Sequence, residues 1–142
     1  MARWGFIVLI VSLLLSLPLR ARAETSVGIG NDVVHSTDTY AFILRHDFRE
    51  YRIGTSFMYW NGSEGPDGAI TAEYIIGKKR LNLNLGAAYI FERSDLNGTH
   101  FNYSLGASWS PGKHLRLQFT HFSNGHNKYN MGWNFIGVLY RF

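Results

Sequence analysis

From residue 25 onward the chain alternates apolar and polar side chains in eight stretches separated by turn-rich breaks. The stretches read Thr25–Gly30, Asp38–Asp47, Tyr51–Asn61, Ala69–Gly77, Leu81–Glu92, His100–Ser110, His114–Ser123 and Gly132–Phe142. Period two is the signature of strands, whose successive side chains point to opposite faces. Most stretches have about the 9–11 residues that a tilted strand needs to cross a bilayer.

The two faces differ in kind. Leu81, Leu83, Leu85, Ala87, Tyr89 and Phe91 share one face of the fifth stretch, with Asn82, Asn84, Gly86 and Glu92 on the other. The sixth sets Phe101, Tyr103, Leu105, Ala107 and Trp109 against His100, Asn102, Ser104, Gly106 and Ser108. A water-soluble sandwich also shows period two, but rarely with large aromatics so consistently on one face and Asn, Ser and Gly on the other. The pattern predicts an all-β protein: an eight-stranded antiparallel transmembrane β-barrel whose apolar face meets lipid.

The breaks sharpen that reading. Those after stretches two, four and six are tight: Phe48-Arg49-Glu50, Lys78-Lys79-Arg80 and Pro111-Gly112-Lys113. Those after one, three, five and seven are longer, as in Gly62 to Gly68 and Ser94 to Thr99. Short turns at one end and longer loops at the other are the outer-membrane pattern, with both termini on the periplasmic side. Eight strands enclose an interior that side chains just fill. Arg45, Arg52 and Arg116 are expected inside against Asp47, Glu73 and Glu92, a plug rather than a channel. Counting back from the terminal Phe142 turns Tyr140, Val138, Ile136 and Asn134 outward and Gly137, Leu139 and Arg141 inward.

The N-terminal region has its own logic. Arg3 precedes an apolar run from Trp4 to Leu19, followed by Ala21-Arg22-Ala23. This is the form of a cleaved secretory signal, so residues 1–23 are expected to be a signal peptide and 24–142 the barrel domain. The signal carries three of the 14 Lys and Arg, leaving 11 against 10 Asp and Glu. The formal charge of +4 thus falls to +1, which gives no case for nucleic acid as a partner. Cysteine is absent, so a closed barrel, rather than disulfides, is expected to stabilise a small exported domain.

One place breaks the apolar outward row. Leu115, Leu117 and Phe119 are followed on the same face by His121 and Ser123. Residues i and i+2 lie roughly 6.5 Å apart along a strand, and the last hairpin brings outward Asn134 beside them. Serine becomes nucleophilic when a base takes its proton, histidine is the usual base, and a third polar group orients the ring. The plain structural reading is that His, Ser and Asn sit at a barrel rim because they meet headgroups and water. His126 competes as a base but lacks a fixed orienter. His35, His46, His100 and His114 fall in loops or at strand ends, and no carboxylate accompanies His121 and His126. No metal site and no cofactor are therefore expected.

The segments His121-Phe-Ser123-Asn124-Gly125, Asn130-Met-Gly132-Trp-Asn134 and Tyr140-Arg-Phe142 together resemble the lipid A 3-O-deacylase family (the PagL type). The match covers about the last 25 residues; elsewhere the likeness is one of size, signal and strand count. The resemblance implies an outer-membrane barrel that hydrolyses the ester-linked 3-O-acyl chain of lipid A. It implies Ser123 as nucleophile, His121 as general base, and Asn124 and Gly125 near the oxyanion, with Asn130 assisting. Where the family orients its histidine with Glu, this chain has Asn134, which can hold the ring but cannot stabilise imidazolium by charge. The partner implied is lipopolysaccharide of the outer leaflet; a homodimer is left open. Three alternatives stand beside it: a non-enzymatic small outer-membrane barrel serving envelope integrity or adhesion, a catalytically impaired relative, and a soluble lipid-binding barrel.

Overall fold

A computed structural model describes residues 23–35, 38–62, 65–78, 80–94, 98–125 and 132–142. The expected signal peptide (but for Ala23), together with His126 and Asn130, lies outside the described residues. Eight strands follow in order: β1 (Ala23–Asp32), β2 (Tyr40–Phe48), β3 (Ile53–Gly62), β4 (Gly65–Lys78), β5 (Leu81–Ile90), β6 (Phe101–Trp109), β7 (Leu115–Ser123) and β8 (Trp133–Arg141). Each pairs antiparallel with the next, and β1 pairs with β8, closing the barrel. No helix occurs among the described residues.

Closure satisfies every strand edge, which is the condition for crossing hydrocarbon with strands. The outside is then free to be apolar. Phe42, Leu83, Leu85, Leu105, Phe119, Ile136 and Val138 are all exposed on it. Tyr40, Tyr59, Tyr89 and Tyr103 ring the loop end of this surface, and Tyr74, Trp109 and Tyr140 ring the turn end. An apolar band between two aromatic girdles is the exterior of a membrane-spanning barrel. The faces assigned to the fifth, sixth and last stretches hold along β5, β6 and β8.

The interior is filled in two storeys. Towards the loop end Trp60, Phe122, Trp133 and Phe135 pack together, with ring centroids 5.1 to 6.4 Å apart. Towards the turn end the filling is ionic. Arg45 Nε donates to Asp47 Oδ1 at 2.7 Å and Nη1 donates to Glu73 Oε2 at 2.5 Å. Arg116 Nη2 donates to the other Asp47 oxygen, and Ser104 Oγ donates to Glu73 Oε1. Gly54 makes room for this network: a Cβ there would collide with Arg45 Nη2.

Three expectations need correction. Arg52 and Glu92 are exposed, not inside: Arg52 lies in the turn before β3, and Glu92 follows the end of β5. Strand parity does not extend past the last ladder pair. The break from Gly62 to Gly68 is not a long loop, because β3 and β4 continue pairing to Asn61↔Pro66 and Gly62↔Gly65. Proline is tolerated there because it stands near the start of its strand. The first stretch is also longer than the sequence pattern predicts, running on to Asp32.

Candidate functional site

The β7–β8 register places His121 directly opposite Asn134 and Phe122 opposite Trp133. On the other side of β7, Ser123 faces Tyr103 and His121 faces Leu105. The expected His121, Ser123 and Asn134 are therefore neighbours at the loop end, on the outward face. Ser123 is only 3% exposed and Asn134 9%, while His121 is half-buried. The cluster is recessed into the rim rather than displayed on it.

His121 Nδ1 and Asn134 Oδ1 lie 2.8 Å apart. The amide's orientation is set at its other end, where Nδ2 donates to Gly132 O at 3.2 Å. Reversing the amide would bring two acceptor oxygens face to face. Since Oδ1 only accepts, Nδ1 carries a proton, and in the neutral ring the lone pair is then on Nε2. The Tyr103 ring packs beside the imidazole with centroids 5.8 Å apart and planes at 48°.

The Ser123 hydroxyl accepts from the backbone N–H of Gly125 at 3.3 Å. Among the described residues, no direct hydrogen bond joins that hydroxyl to the imidazole. Gly125 adopts φ +65°, and a Cβ there would lie 3.6 Å from Tyr103 Cε1. Asn124 turns its Nδ2 to Thr99 Oγ1 at 3.3 Å, tying the β7–β8 loop to the loop before β6.

Two groups that sequence reasoning missed complete the surroundings. Asp32, fully buried at the end of β1, accepts the backbone N–H of Asn134 at 3.2 Å through Oδ1. It also accepts from Val34 and His35 N–H, so one carboxylate fixes both the first loop and the start of β8. Tyr103 is the second. Its outward parity is readable on β6, but its place opposite Ser123 needs the β6–β7 register.

No protein-family model and no curated protein matches the chain. Among solved structures it is similar to the Yersinia pestis outer membrane protein Ail, determined in a phospholipid bilayer nanodisc. The alignment covers 84% of this chain and 98% of that one, at 15% identity and a TM-score of 0.49.

Proposed function

We propose that the protein is an outer-membrane lipid A deacylase that hydrolyses the 3-O-acyl ester from the lipid-facing rim of the barrel. The observation that carries this reading is the His121 Nδ1–Asn134 Oδ1 contact of 2.8 Å, which leaves a basic Nε2 on the face that Ser123 shares. With the turn end in the periplasm, the loop end stands at the outer leaflet, where lipid A resides. Ser123 Oγ attacks the acyl carbonyl and its proton passes to His121 Nε2. The tetrahedral oxyanion collapses, imidazolium protonates the departing sugar oxygen, and an acyl-serine remains. His121 then takes a proton from water, whose attack on the acyl-serine releases the fatty acid and restores the hydroxyl. Backbone and amide donors of the Asn124–Gly125 turn are the nearest candidates for the oxyanion. The Ser123–His121 hydrogen bond forms when substrate displaces the Gly125 contact, as catalytic contacts commonly tighten in the substrate complex.

A second reading has its own support. Ser123 is buried and already satisfied by Gly125 N–H, which suits a non-enzymatic barrel whose polar rim only shapes its loops. Mass spectrometry of lipid A from Gram-negative cells expressing the protein separates the two. The deacylase reading expects lipid A lighter by one hydroxyacyl chain, and intact lipid A with Ser123→Ala. Unchanged lipid A with wild-type protein in the membrane supports the second reading instead.

A further inference from the structure

At the turn end, a cavity of about 130 Å³ opens inside the barrel mouth, lined in part by Asp47, Arg49, Arg52, Asn82 and Arg116. Three guanidinium groups and one carboxylate therefore share a small space. The carboxylate is already engaged, Oδ1 by Arg45 and Oδ2 by Arg116. Arg116 is 3% exposed, yet its Nε and Nη1 have no hydrogen-bond partner among the described residues. Buried donors are normally satisfied, and one left over inside a cavity points to a missing acceptor.

The mouth gives an independent sign. Arg52 adopts φ +53°, in the left-handed region that side-chain-bearing residues seldom occupy. Its backbone is held there, with N–H donating to Arg49 O at 3.3 Å and C=O accepting from Ile75 N–H at 2.8 Å. Its guanidinium has no hydrogen-bond partner among the described residues. Arg49 keeps one nitrogen on Glu24 across the mouth.

We propose that this cavity is a binding site for a small oxyanion of the phosphate class, with Arg116 at its floor and Arg49 and Arg52 at its entrance. Guanidinium forks match tetrahedral oxyanions with paired N–H donors, and the Asn82 amide adds a neutral donor. The phosphate has two sources: a free ion entering the lumen, or the headgroup of a lipid reaching round the strand ends. The site is independent of the rim chemistry at His121 and Ser123.

Calorimetric titration of the folded barrel in a phosphate-free maltoside detergent tests the proposal, with chloride added to hold ionic strength constant. One arm uses inorganic phosphate, the other a short-chain phosphatidic acid. Saturable binding of phosphate identifies the free ion as ligand, and saturable binding of phosphatidic acid alone identifies the headgroup. Arg52→Gln is expected to weaken binding about tenfold or more, while Arg80→Gln, outside the cavity, leaves it unchanged. Absence of saturable binding in both arms overturns the proposal. So does equal weakening by Arg52→Gln and Arg80→Gln, which marks a diffuse positive field rather than a site.

Discussion

Asn134 holds His121 as a neutral acceptor holds a donor: Oδ1 faces Nδ1 at 2.8 Å, and Nδ2 is committed to Gly132 O. The pairing selects one tautomer of the ring without placing a charge beside it. In the proposed hydrolysis this supports proton uptake at Nε2 but lends the imidazolium only a dipole. Asn134→Leu is therefore expected to lower the deacylation rate by about 10²-fold or more. Nitrogen NMR of labelled protein checks the premise directly. A His121 ring protonated at Nε2 in the neutral form would remove it.

Gly132 makes that pairing possible. It adopts φ +64°, and a Cβ there would collide with Phe122 O and lie 3.0 Å from His121 Cε1. Gly132→Ala must move the hairpin, with a left-handed cost of about 1–2 kcal/mol and overpacking of about 1–3 kcal/mol on top. The expected result is a lowered urea midpoint in detergent micelles together with loss of turnover. Gly112→Ala is the control, since nothing lies within 4 Å of a Cβ at that position. If both variants behave as wild type, Gly132 does not sit in a tight left-handed turn against Phe122.

How much of this was legible in the sequence follows from what each residue touches. Leu83 and Asn84 could be assigned to opposite faces because lipid on one side and a packed interior on the other force strict alternation. The His121–Ser123–Asn134 grouping was legible for the same reason, as all three lie on one hairpin and one face. Trp60, Trp133 and Phe135 escape the pattern, since the rule of polar residues inside fails where no water must be accommodated and volume must be filled. Arg52 and Glu92 escape it because parity does not carry beyond the ladder. Asp32 was invisible as a partner of Asn134, because that contact crosses the β1–β8 seam between the two ends of the chain.

The interior ion network behaves as a unit. Glu73 accepts from both Arg45 and Ser104, and Arg45 also binds Asp47, all of them buried. Removing one partner strands a buried charge, so Glu73→Leu is expected to destabilise the barrel by about 3–5 kcal/mol. Arg45→Met combined with Glu73→Leu should recover most of that loss, since Asp47 keeps Arg116. Reversible urea unfolding of the two variants in lipid vesicles measures the difference. A double variant no more stable than the single one would show that the two charges are not coupled.

The membrane-spanning reading itself makes a depth-dependent prediction on one strand. Leu85 lies midway along β5 and Leu81 at its turn end, and both are exposed on the apolar face. If that face meets hydrocarbon, Leu85→Arg costs about 2–4 kcal/mol while Leu81→Arg, near the interface, costs about 0–1 kcal/mol. In a barrel surrounded by water both substitutions fall within about 0.5 kcal/mol of neutral, as exposed changes usually do. Folding free energies of the two variants in phospholipid vesicles distinguish the cases. Equal, near-zero effects would favour the soluble lipid-binding barrel and remove the lipid substrate from reach of Ser123.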